Sequence, residues 1–111
     1  LRISQTNNCA YCLDMHTRDL LKRGQKIEKL ALLQAWAEAG NLFDERERAA
    51  LAWTESLTLI ASTHAADEDY AALREHFSDK EMADLTVAII AINGWNRLAV
   101  GFRKTPAQAT L

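Results

Sequence analysis

Apolar positions recur along this chain at intervals of three and four, and alternation of Val, Ile and Thr is nearly absent, so the pattern predicts helices and no strand. The first segment runs from about Ser4 to Arg23, with Gly24 standing where a helix-ending glycine belongs. A second helix, roughly Ile27 to Ala39, sets Ile27, Leu30, Ala31, Leu33 and Ala37 on one stripe and stops at Gly40. Asp44 and Glu47 form a variant of the capping box ahead of an apolar-striped helix from Glu45 to about Ser62. The small, polar stretch from His64 to Asp69 reads as a connection and Asp69 to Phe77 as a short helix. Ser78 and Glu81 make a regular capping box that opens a helix reaching about Val100.

This last helix is apolar over much of its circumference. Leu85, Ile89, Ile92 and Ala99 line one side, and Ala88, Ala91, Trp95, Leu98 and Phe102 the adjacent one, so it is expected to be central or buried at a subunit contact. The stretch from Lys104 to Leu111 has no pattern and is expected to be loose. Together these elements predict an all-α, single-domain helical bundle of about five helices spanning residues 1–111. Its apolar faces exceed what a monomer of that size can cover, so a homo-oligomer is expected.

Composition narrows the function. Four glycines and one proline among 111 residues suit a helical chain. Charged residues make up 25% and the net charge is -2, so there is no basic field to hold nucleic acid or anionic lipid. The longest apolar run, near Leu85 to Ile92, is far shorter than a bilayer-spanning segment, and the N-terminus lacks the order of a secretion signal. A soluble, cytoplasmic protein is the expectation. Phosphate-binding glycine loops and Ser/His/Asp signatures do not occur.

The chemistry is concentrated in Asn8-Cys9-Ala10-Tyr11-Cys12-Leu13-Asp14-Met15-His16, which holds both cysteines of the chain. On a continuous helix Cys9, Cys12 and His16 share an arc of roughly 60 degrees. An imidazole and a helix N-terminus are the two commonest devices for drawing a proton from a thiol near neutrality. A packing role for two buried cysteines is the plainest alternative. Zinc would need a fourth ligand that His64 and His76 are not arranged to supply, and haem attachment would need histidine where Leu13 stands. Neither a metal nor a cofactor is therefore expected.

A dithiol redox site remains, in which one thiolate reduces a hydroperoxide, the other closes a disulfide, and an external reductant reopens it. His16 leans back toward Cys12 across one helical turn, which favours Cys12 as the thiolate, whereas the helix dipole favours Cys9; the residues alone leave the order open.

These residues resemble the active-site signature of the alkylhydroperoxidase D-like, carboxymuconolactone decarboxylase superfamily. The similarity continues through Ser4-Gln5-x-Asn7, Glu45-Arg46-Glu47-Arg48-Ala49-Ala50-Leu51-Ala52-Trp53-Thr54-Glu55, and Asp84-Leu85-Thr86 to Ala91-Ile92-Asn93-x-Trp95-Asn96-Arg97. It implies an all-α fold of that type, trimers or hexamers, and thiol peroxidase activity toward alkyl hydroperoxides or hydrogen peroxide. By position it implies Cys12 as the attacking thiol, Cys9 as the resolving thiol and His16 in a proton relay. It also implies an external dithiol reductant, which in the best-known member is a lipoyl-bearing protein. The relay's glutamate lies twelve residues before the first cysteine in that family, ahead of Leu1 here, so the natural protein is expected to begin earlier. Tyr11 departs from the pattern too, since the best-known peroxidases place a second histidine between the cysteines. A helical redox sensor or ligand-binding oligomer is the rival reading, and lactone decarboxylation ranks below both.

Other residues are given structural roles. Trp36, Trp53 and Trp95 are read as core or interface anchors among Ala and Leu. Asn93 and Asn96, polar within an apolar helix, need partners such as a neighbouring helix end. Asp14, His64 and His76 are expected at the surface.

Overall fold

The computed structural model describes residues 1–108, and Ala109, Thr110 and Leu111 of the patternless tail lie outside the described residues. Seven α-helices occur among the described residues: α1 (Arg2–Thr6), α2 (Ala10–Lys22), α3 (Ile27–Leu32), α4 (Glu45–Thr58), α5 (Ile60–Thr63), α6 (Asp67–His76) and α7 (Asp79–Gly101). Two 3-10 segments, Leu33–Glu38 and Gly40–Leu42, bridge α3 to α4, and no strand occurs among the described residues. The all-α class holds. The expectation of about five helices does not, because three of the predicted elements are each interrupted.

The strongest start signals are borne out. At α4 the Glu47 N–H donates to Asp44 Oδ1 at 2.8 Å while the Asp44 N–H donates to Glu47 Oε1 at 3.2 Å. At α7 the Glu81 N–H donates to Ser78 Oγ at 3.2 Å and the Ser78 N–H to Glu81 Oε1 at 2.9 Å. Each reciprocal pair satisfies two backbone donors that the helix itself cannot. Gly24 and Gly40 turn the chain with φ of +92° and +59°, a region open to residues without a Cβ.

The interruptions have local causes. The predicted helix from Ile27 to Ala39 is α-helical only to Leu32, and Ala35 leaves helical geometry at φ -120°, ψ 33°. Arg48 on α4 holds the displaced carbonyls, donating to Trp36 O, Ala37 O and Gly40 O at 3.3, 3.3 and 3.1 Å. The predicted helix to Ser62 breaks at Leu59. Beyond it His64 and Ala65 both take positive φ, and the turn is tied back where Thr63 Oγ1 donates to Ser56 O at 2.6 Å and the Ala66 N–H to Ser56 Oγ at 3.1 Å.

α4 packs against α1, α6 and α7. Between them Ile3, Trp53, Leu73 and Ile89 form the buried core, with Leu57, Phe77, Leu85 and Ile92 packed around it. Trp53 meets its expected role: it is buried, its ring lies 5.9 Å from that of Tyr70, and its Nε1–H donates to Thr86 Oγ1 at 3.0 Å. Trp36 is half-buried and is held mainly by polar contacts, its Nε1–H donating to Glu55 Oε1 at 2.7 Å beside the Arg2–Glu55 ion pair. No described helix is long and apolar enough to cross a membrane.

Of the two apolar sides expected on α7, only the one carrying Ile89 faces the core. Val87, Ile90, Trp95, Leu98 and Phe102 are exposed, Phe102 at 82% and Trp95 at 63%.

Candidate functional site

The segment expected as one helix from Ser4 to Arg23 is two helices that meet at Asn7 and Asn8. Asn8 adopts φ +53°, a left-handed conformation that asparagine tolerates better than most residues. Cys9 then takes an extended conformation as the N-cap of α2, and its N–H donates to Ser4 O at 3.0 Å. The cause is long-range. Asn7 Nδ2 donates to Asn93 Oδ1 at 2.9 Å and to Asn96 Oδ1 at 3.0 Å, which draws the end of α1 onto α7. Asn96 Nδ2 in turn donates to Ser4 Oγ at 3.0 Å, with Asn96 and Ser4 both fully buried. Asn93 completes the junction by donating to Thr58 Oγ1 on α4 at 3.1 Å. The polar residues inside an apolar helix thus find the neighbouring helix end that their chemistry requires.

Placing Cys9 at the cap replaces the expected three-residue helical stripe with a different geometry. Cys9 and Cys12 are joined as a disulfide with a Cα–Cα separation of 5.3 Å, inside the range a disulfide spans. The Cys12 N–H donates to Cys9 Sγ at 3.3 Å, so a sulfur occupies the position in which a serine or aspartate oxygen usually caps a helix. Both sulfurs sit at the positive end of α2, where the free N–H groups favour a thiolate once the pair is reduced. Both cysteines are almost completely buried, at 1% and 2% exposure.

His16 lies one turn beyond Cys12 on α2 and is half-buried. Burial holds its imidazole pKa below the ordinary value, which keeps the ring neutral near pH 7. Among the described residues no hydrogen bond joins His16 to either cysteine, and no group of three metal-ligating side chains converges here. The structure therefore unites the two sulfurs and leaves the imidazole one helical turn away.

Two open grooves flank this stretch of α2. One, of about 460 Å³, has Cys12 in its wall together with Tyr11, Met15, Trp95, Leu98 and Phe102, and Lys104 beside them; Cys9 does not reach it. The other, of about 790 Å³, is lined by His16, Asp14, Arg18 and Gln108. Tyr11 and Met15 border both. Trp95, expected as a core or interface anchor, is not in the core of the chain and forms part of this groove's wall.

The tail contributes as well. Lys104 N–H donates to Ala99 O at 2.8 Å, and its ammonium stands 5.2 Å from the Tyr11 ring centroid. Gln108 Nε2 donates to Asp14 Oδ1 at 2.9 Å, and Arg18 Nε to the same oxygen at 2.8 Å. Those bonds, Gln108's first, hold the Asp14 carboxyl below its ordinary pKa. Asp14 is thus partly shielded where exposure was expected, and residues 104–108 lie against α2. Trp95 and Lys104 escaped sequence reasoning, which had no means of knowing that α7 and the tail border Cys12. His64 is exposed as expected, whereas His76 is half-buried with its carbonyl accepting from Arg46 at 3.2 Å.

The all-helical fold, with a Cys-x-x-Cys pair capping a helix and a histidine one turn later, is of the alkylhydroperoxidase D-like type. The chain belongs to the carboxymuconolactone decarboxylase family, whose model matches residues 1–56. It is 41% identical over 108 residues to the uncharacterized protein YdfG of Bacillus subtilis, spanning 97% of this chain and 73% of that one. It also superposes with a TM-score of 0.94 and 44% identity on a crystal structure from Agrobacterium tumefaciens, covering 98% of this chain and 74% of the other. That structure is of a protein of unknown function, suggested to be the antioxidant defence protein AhpD.

Proposed function

We propose that this protein is a thiol peroxidase that reduces hydroperoxides through the Cys9–Cys12 pair. The observation that carries the reading is the pairing of two buried cysteines at the N-terminus of α2, of which Cys12, and not Cys9, is among the described residues lining an open groove. That asymmetry supports Cys12 as the attacking thiolate and Cys9 as the resolving one. The antioxidant role suggested for the Agrobacterium structure points the same way.

In this scheme the Cys12 thiolate attacks the terminal oxygen of the hydroperoxide. The O–O bond breaks, the departing alkoxide takes a proton to become the alcohol, and Cys12 becomes a sulfenic acid. Cys9, as a thiolate, attacks the Cys12 sulfur; the S–O bond breaks, hydroxide leaves and is protonated to water, and the disulfide forms. An external dithiol reductant then gives two electrons and two protons to restore both thiols, becoming a disulfide itself. His16, kept neutral near pH 7 by burial of its imidazole, is in this scheme the group that accepts the Cys12 proton and returns it to the leaving oxygen.

The decisive experiment follows peroxide loss with a dithiol present in excess. Wild-type protein is expected to turn over many times and Cys12→Ser not at all, while Cys9→Ser, assayed without the dithiol, is expected to stop after one equivalent with a trappable sulfenic acid on Cys12. One equivalent consumed by wild type, with no turnover, would identify a redox sensor instead. Lactone decarboxylation surviving in a Cys9→Ser, Cys12→Ser double variant would identify the decarboxylase branch. The reading includes self-association, because Val87 and Ile90 on α7 are 65% and 63% exposed, more apolar surface than a solitary helix face ordinarily leaves in water.

A further inference from the structure

We infer that the groove beside Cys12 admits a hydroperoxide with an extended apolar body and a free carboxylate, a fatty-acid hydroperoxide, and that Lys104 selects the acid. This rests on the peroxidase reading and goes beyond it by naming the substrate class. Four features of the groove converge. Its volume of about 460 Å³ is that of a small-molecule site. Its wall is formed by Tyr11, Met15, Trp95, Leu98 and Phe102, a lining that favours hydrocarbon and, through Met15, adapts to chains of different shape. Cys12, though almost wholly buried, is among the residues that line this groove. Among the described residues, Lys104 is the one charged side chain in the lining.

The placement of that charge is specific. The Lys104 N–H bond to Ala99 O anchors its backbone to the last turn of α7, and the ammonium rests over the Tyr11 ring at the groove's edge. No carboxylate among the described residues forms an ion pair with it; the nearby Asp14 is taken by Arg18 and Gln108. A cation at the margin of a hydrocarbon groove complements an amphiphile that carries one negative charge. A neutral alkyl hydroperoxide leaves that cation unused, and a second protein chain seated in the groove would close the Cys12 sulfur off from both peroxide and reductant.

The test compares turnover of linoleic acid hydroperoxide with that of its methyl ester, for wild type and Lys104→Met, a change that keeps the apolar stem and removes the charge. Wild type is expected to favour the acid by about five-fold in kcat/KM, the scale of one exposed ion pair, and Lys104→Met to bring the ratio to about one. A ratio near one in wild type, or one unchanged by Lys104→Met, overturns the inference. A binding measurement separates this from failure of the peroxidase reading. Laurate, which carries no peroxide, is titrated against tryptophan fluorescence, with Trp95→Phe identifying the responding ring. Quenching that needs Trp95 and weakens about five-fold in Lys104→Met, with methyl laurate indifferent to the substitution, supports the groove assignment even if no peroxide is turned over. Absence of a Trp95 response, or a response that emerges only on dilution to dissociated chains, overturns it even if hydrogen peroxide is consumed.

Discussion

Asn7 and Asn96, 89 residues apart in sequence, meet at 3.0 Å, and that contact fixes where the cysteine pair stands. It binds the end of α1 to α7, so the chain turns at Asn8 and Cys9 becomes a helix cap instead of a residue within a continuous helix. Asn96→Ala removes an acceptor from Asn7 and leaves the buried Ser4 hydroxyl without its Asn96 partner. A loss of about 1–3 kcal/mol is expected in urea unfolding, together with altered reactivity of Cys9 toward an alkylating reagent in the reduced protein. Wild-type stability in Asn96→Ala would show that the network positions nothing.

His16 makes stability depend on pH in a definite direction. Burial lowers its pKa in the folded chain below the 6.5 of a free imidazole, so between those two values the unfolded chain binds more protons. Stability from this group is present above pH 6.5 and is lost as pH falls through that window. His16→Gln is expected to be less sensitive than wild type to acidification across it, measured by thermal unfolding at several pH values. An imidazole midpoint at or above 6.5 by NMR titration would contradict the argument.

Glu81 acts in the same direction, at lower pH. Its carboxylate accepts the Ser78 N–H and pairs with Arg46, which together hold its pKa down to about 2 from 4.5. The depressed value means that its contribution is present above pH 4.5 and disappears as pH falls toward 2. The stability gap between wild type and Glu81→Gln should therefore narrow over that interval. A constant gap would mean that the charge of Glu81 plays no part in capping α7.

The exposed apolar surface of α7 can be tested with Ile90→Glu. Ile90 points away from the core at 63% exposure, so the change should leave the fold intact by circular dichroism. Sedimentation velocity is expected to show wild type as an oligomer and Ile90→Glu shifted toward monomer. Equal sedimentation of the two would remove this face from any assembly.

What could be read in the sequence was local. The two capping boxes depend on residues three apart, and both were visible as Asp44 with Glu47 and Ser78 with Glu81. The pairing of Cys9 with Cys12 likewise needs only neighbouring residues. The break at Asn8 was hidden because its cause, Asn93 and Asn96, lies at the far end of the chain. Periodicity showed that α7 is apolar on two sides and could not say which side stays in water. The shielding of Asp14 is equally invisible to local pattern, since its partner Gln108 is 94 residues away.

Arg48 gives the segment from Leu33 to Leu42 an unusual dependence. Three carbonyls there answer to one guanidinium, which also lies 5.5 Å from the Trp36 ring centroid. Order in these ten residues is thus borrowed from α4, and the two regions must melt together: amide hydrogens on both should exchange with solvent at a shared rate, as one cooperative unit.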